Sequence, residues 1–144
     1  MTKKSIKGWI IKMIIFIPLL QISCTDLDKD YYGLLVISMP SGKQVFFKRN
    51  VWGFHDERLV LSANKELEPF YDPLHDWDFN CLTKVVYYKI LGDTLVIVPN
   101  CVVPPKSGTF PVKVKVVKLN SLDLMRFEKE ASANGFKLVD IPVR

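Results

Sequence analysis

The stretch that most limits what this chain can fold into is LTKVVYYKILGDTLVIVPN, residues 82 to 100, which lies between Cys81 and Cys101. Val85 to Ile90 is a run of β-branched and aromatic residues, Gly92-Asp93 is a turn pair, and Leu95 to Val98 is apolar again. This pattern predicts a β-hairpin with a two-residue turn. Ile90 then faces Leu95, and the same register carried to the open end sets Cys81 opposite Pro104, three positions from Cys101. A direct bridge between the cysteines therefore needs a bulge. Pro99, which has no N–H to give to a ladder, is the expected place for it. A disulfide closing a loop of this size would stabilise the fold by about 3 kcal/mol. The alternative is two buried free thiols. The spacing is not C-x-x-C and there is no second cysteine pair, so a zinc site has no support.

Other strands follow from the same signals. Leu34 to Ser38 is apolar and ends at the turn signal Met39-Pro40-Ser41-Gly42, and Lys43 to Arg49 resumes as its hairpin partner. Arg58 to Ala63 forms a third strand. Residues 64 to 81 mix prolines, acids and aromatics without a period, which predicts a long loop lying across the domain. Val112 to Val116 (VKVKV) alternates strictly, as a strand with one wet face does. Asn120-Ser121 caps a helix over Leu122 to Asn134, with Leu124, Phe127, Glu128 and Ala131 at helical spacing and Gly135 as its stop. Phe136 to Ile141 supplies a final strand. The expected fold is α+β: a mostly antiparallel sheet of five or six strands with one C-terminal helix.

The 144 residues fit one domain, and 49% hydrophobic content is enough for a core. The formal charge is +5, but Lys3, Lys4, Lys7 and Lys12 fall in the first 23 residues, where no acid occurs. Without them 16 basic residues face 15 acidic ones, a net of +1. That removes the case for nucleic acid as a partner. The same 23 residues have the three parts of an export signal: a positive start, an apolar run from Met13 to Leu20 broken only by Pro18, and a short descent through Gln21, Ile22 and Ser23 to Cys24. From Ile10 to Leu20 there are 11 residues, too few for a span that needs roughly 20.

Leu20-Gln21-Ile22-Ser23-Cys24 resembles the lipobox of bacterial lipoprotein signals. Ser23 and Cys24 match it; Gln21 stands where an aliphatic residue is usual, with the leucine one place early. The resemblance implies cleavage before Cys24, a diacylglycerol on its sulfur and an acyl chain on its amine, and stable membrane attachment through those chains. The organisation expected is a signal peptide over residues 1–23, an acidic tether over 24–31 and one globular domain over 32–144. It implies no cofactor beyond the covalent lipid. An ordinary signal peptide or an uncleaved anchor also fits the residues. Export would place Cys81 and Cys101 where disulfides persist. Whether the domain faces the periplasm or the outer surface stays open. VFFKRNVWGFHDERLVLS and YYKILGDTLVI also resemble segments of small bacterial lipoproteins, a likeness that carries no activity.

Two groups of residues carry candidate chemistry. His55-Asp56-Glu57 and His75-Asp76-Trp77-Asp78 each set imidazole beside carboxylate, the pairing that a divalent metal or a general acid–base site uses. If the two loops meet, His55, Asp56, His75 and Asp76 form one site of a metal-dependent hydrolase. Neighbours on an extended chain point to opposite sides, which opposes that assembly. No nucleophile elbow, Walker loop or dinucleotide motif occurs. The second group is aromatic: Trp52, Phe54, Tyr71 and Trp77, with Phe70 and Phe79, gather around the same loops. Rigid aromatic rings suit a binding surface for protein or glycan, or they complete a small core. Lys113, Lys115 and Lys118 suit a solvent face or a guarded edge. The sequence therefore predicts a lipid-anchored, non-catalytic binding or accessory module of the bacterial cell envelope. An envelope immunity or inhibitor protein is the alternative.

Overall fold

A computed structural model describes residues 30–53, 56–81 and 84–144. Cys24, Phe54 and His55 lie outside the described residues, and with them the expected lipidation site and one histidine of the candidate metal group. Among the described residues eight strands and one helix follow in chain order: β1 Tyr31–Ser38, β2 Gln44–Trp52, β3 Asp56–Ser62, β4 Trp77–Asp78, β5 Val86–Leu91, β6 Thr94–Pro99, β7 Lys113–Val116, α1 Ser121–Glu130 and β8 Lys137–Leu138. Among the described residues no helix is long and apolar enough to cross a membrane.

The strands form two four-stranded sheets, β1-β2-β3-β4 and β7-β6-β5-β8, rather than one sheet of five or six strands. Pairing is antiparallel throughout except between β6 and β7, which run parallel. One hydrophobic cluster draws on both sheets. Ile37, Val45, Phe47, Leu59 and Leu61 come from the first sheet; Val86, Tyr88, Leu95 and Ile97 come from the second. Phe47 spans the join, with its ring centroid 6.0 Å from both Phe79 and Tyr88. The sheets are also tied at the rim. Asp93 Oδ1, in the β5–β6 turn, accepts from the Ser41 amide in the β1–β2 turn at 3.0 Å.

The central hairpin keeps the register set by its turn, from Leu91 opposite Thr94 to Val86 opposite Pro99. Pro99 is not a bulge. The Asn100 amide donates to Val85 O at 3.1 Å. Ladder donors alternate sides along a strand, so the Pro99 nitrogen faces away from β5 and costs this ladder nothing. Farther out, Asp78 pairs with Val103. Seven residues, 79 to 85, thus stand against three, 100 to 102. The four-residue excess lies before β5, on the strand opposite the one expected. It brings Cys81 and Cys101 to disulfide distance, with Cα atoms 6.3 Å apart, within the usual range for a bridged pair.

β7 shows the expected alternation, with Lys113 and Lys115 exposed and Val114 and Val116 half-buried, and it is an edge strand. The helix begins where expected, with Asn120 Oδ1 accepting from the Asp123 amide at 2.9 Å. Regular helix ends at Glu130, before the expected Asn134. The chain then tightens through one more turn, in which Gly135 N donates to Ser132 O at 3.0 Å and Phe136 N to Ala131 O at 2.8 Å. These two bonds are a Schellman stop, and it requires the left-handed φ of 76° that Gly135 adopts. The final strand is likewise shorter than Phe136 to Ile141. Val139 N still donates to Val86 O at 2.8 Å; past it the chain leaves the second sheet and reaches the first, where Arg144 and Tyr32 exchange backbone bonds of 3.4 and 3.2 Å.

Candidate functional site

Side chains alternate along β2 and β3. Val45, Phe47, Leu59 and Leu61 enter the core, which leaves Phe46, Lys48, Asn50, Arg58, Val60 and Ser62 on the opposite face. That face is covered by the loop of residues 63 to 76, which does lie across the domain. The loop ends in β4, a two-residue strand the sequence did not suggest. Its last turn is tied by short bonds. The Asp76 and His75 amides donate to Asp72 O at 2.8 and 3.1 Å, and the Asp72 amide donates to Asp76 Oδ2 at 2.9 Å. The Leu74 amide reaches Asp72 Oδ1 at 2.8 Å, and His75 Nδ1 lies 2.7 Å from Asp72 Oδ2. Bonding to His75 and then to the Leu74 amide lowers the pKa of the Asp72 carboxyl.

Two clefts open where the loop crosses the sheet. The first, of about 460 Å³, is lined by Asp30, Asn50, Trp52, Arg58, Phe70 and Tyr71. Trp52 is 37% exposed. Tyr71 lies under the Arg58 guanidinium, which also donates to Asp78 Oδ2 at 2.7 Å. Burial, and then the Asp78 charge, raises the pKa of the Tyr71 phenol. Asn50 Oδ1 is buried and accepts no hydrogen bond from the described residues.

The second cleft, of about 500 Å³, includes Lys48, Ser62, Asn64, Pro69, Asp72, His75, Asp76 and Phe110 in its lining. Lys48 is 1% exposed. Its Nζ donates to Glu66 O at 3.2 Å, stands 3.9 Å from Asp76 Oδ2 and lies 5.6 Å from the centroid of the Phe70 ring. Burial lowers the pKa of this ammonium, and the Asp76 charge opposes the shift.

The structure thus brings Trp52 and Tyr71 together, across 19 positions of sequence. It sends Trp77 inward, edge-on to Phe110 with centroids 6.5 Å apart, and its buried Nε1 has no hydrogen-bond partner among the described residues. Asp56 does not join His75 and Asp76. It opens β3 opposite Trp52, whereas Ser62 at the far end of the strand lines the Lys48 cleft, about 20 Å of extended chain away. Among the described residues no group of three His, Cys, Asp or Glu side chains could hold a metal ion.

Lys48, Asn50 and Arg58 were not singled out by the sequence. One signal was present: Phe46 and Phe47 are adjacent and both apolar, so both faces of β2 had to be covered. Lys48 shares the Phe46 face. Set against family models, curated proteins and solved structures, the chain matches none.

Proposed function

We propose that this is a lipid-anchored protein of the bacterial envelope, held through Cys24, that binds a glycan in the Trp52–Tyr71 cleft without catalysis. The observation that carries the reading is the composition of that open, shallow cleft. Trp52, Phe70 and Tyr71 stand beside Asn50, Arg58 and Asp30. Aromatic rings take the apolar C–H face of a sugar, while planar amide, guanidinium and carboxylate groups take its hydroxyls. Exposed rings flanked by a few polar groups suit a sugar, which stacks on one face and hydrogen-bonds at its edge. Tryptophan fluorescence and NMR titration with soluble cell-wall oligosaccharides test it. Saturable binding that weakens about tenfold or more in W52A and Y71A is expected, the fold-change of a central aromatic anchor. Binding unchanged in both variants overturns the assignment.

A second reading, an envelope inhibitor or immunity protein, draws on Leu34 and Val36. They share one face of edge strand β1 and are 41% and 45% exposed. Such neighbours suit a protein partner. Cross-linking from a photoreactive residue at position 36 in intact cells separates the two readings.

A further inference from the structure

The Lys48 cleft lies on the other side of the loop crossing from the aromatic cleft, and its chemistry differs. An ammonium has three donors. Among the described residues Lys48 uses one, to Glu66 O at 3.2 Å. Asp76, at 3.9 Å, is beyond hydrogen-bonding range. A lysine that is 1% exposed and so sparsely satisfied is costly unless the adjoining space supplies acceptors. That space is the cleft of about 500 Å³ that Lys48 itself lines.

The cleft is also dipolar. Asp76, 4% exposed and ion-paired with Lys48 at 3.9 Å, and Asp72 bring carboxylates from the loop beside the ammonium on β2. A simple anion would be repelled by the two aspartates, and a simple cation by Lys48. A molecule carrying both charges a few ångströms apart meets both demands. From this we infer that the Lys48 cleft is a binding site for a zwitterion of the α-amino acid class. The ligand carboxylate completes the Lys48 donors, and its ammonium is held by Asp72 and Asp76. Asp72 Oδ1 and Oδ2 and Asp76 Oδ2 each already accept one bond, and a carboxylate offers about four lone-pair positions, so capacity remains. Pro69 and Phe110 give the ligand side chain an apolar wall. The site is independent of the glycan reading.

The test compares alanine with propionate, which lacks the ammonium, and ethylamine, which lacks the carboxylate, in NMR titrations of the soluble domain. Alanine is expected to shift the Asn64, Asp72 and Thr109 amides saturably and to leave Trp52 unmoved. Propionate and ethylamine should bind about tenfold or more weakly, the loss expected for one charge-assisted hydrogen bond. D72N, at a half-buried position, should weaken alanine binding by a similar factor, and K48M should abolish it. Thermal unfolding of each variant shows that it is folded, and the three-ligand comparison needs no variant at all. No saturable response to alanine, equal binding of propionate or ethylamine, or unchanged affinity in D72N overturns the inference.

Discussion

The Arg58 guanidinium stacks on the Tyr71 ring, with Cζ 3.8 Å from the ring centroid, while its Nη2 bonds Asp78 Oδ2 at 2.7 Å. One side chain thereby fixes the loop to the sheet and sets the angle of an aromatic wall in the candidate glycan cleft. Lysine keeps the charge but neither the flat stacking surface nor the forked donors. R58K is expected to cost about 1 kcal/mol, visible as a Tm lowered by roughly 4 °C. Glycan affinity should fall with it, because Tyr71 loses its support. An unchanged Tm would show that the stack contributes little to holding the loop.

Gly33 is where the C-terminal segment presses closest on β1. A Cβ there would lie 2.5 Å from Ile141 Cγ2 and 2.6 Å from Pro142 O. The side-chain methyl can move, but the carbonyl is backbone, and Arg49 Nη1 holds the neighbouring Ile141 O at 3.0 Å. G33A is expected to cost about 1–3 kcal/mol, the usual range for overpacking. Faster hydrogen exchange at the Tyr32 and Arg144 amides, with the β5–β6 hairpin unchanged, would locate the effect. Uniform exchange across the domain would place the strain elsewhere.

How much of this was legible in the residues differs by scale. Both hairpins were, because turn residues and period-two alternation are local signals. The helix cap and the Gly135 stop were too, since each rests on a few adjacent residues. The division into two sheets was not. It depends on β7 joining β6 in parallel and on the C-terminal chain crossing from one sheet to the other, pairings of long sequence separation that no local pattern encodes. At the site, Trp52 and Tyr71 stood out by residue type. Lys48, set between Phe47 and Arg49, resembles any solvated strand residue; only the closure of the 63–76 loop buries it.

A bridge between Cys81 and Cys101, which lie at disulfide distance, would join the stretch after β4 to the end of the central hairpin, across a separation of 20 residues. Chain entropy gives it about 3 kcal/mol. Reduction, or the C81S/C101S pair of substitutions, should lower the denaturation midpoint accordingly. Intact mass should differ by two hydrogens between reduced and untreated protein. Equal masses would show free thiols.

The proposed anchoring rests on a single residue. C24A is expected to move the protein out of the membrane fraction and to remove acyl labelling, since the lipid chains supply the attachment. Unchanged fractionation would reject Cys24 as the anchor.

The burial of Lys48 has a pH signature whose sign can be worked out. Burial lowers its folded pKa below the ordinary 10.5 of the unfolded chain. Between those two values the unfolded state binds more protons, so the Lys48 contribution to stability rises with pH across that window. Below the window the full penalty of holding a buried ammonium is present; above 10.5 it has vanished. Tyr71 and Tyr88 act in the opposite direction, because their raised pKa values favour the fold less as pH climbs past 10.0. The measurement must therefore be a difference, the denaturant-derived stability of the parent minus that of K48M at each pH. K48M leaves the buried Asp76 without its cation, so it should be less stable than the parent by a few kcal/mol at neutral pH. The gap should widen towards alkaline pH as the parent sheds its ammonium penalty. A gap that stays level from neutrality to pH 10.5 would mean that the Lys48 ammonium is as well solvated in the fold as in water. The acceptors it lacks within the protein would then be supplied by water, and the dipolar cleft would lose its floor.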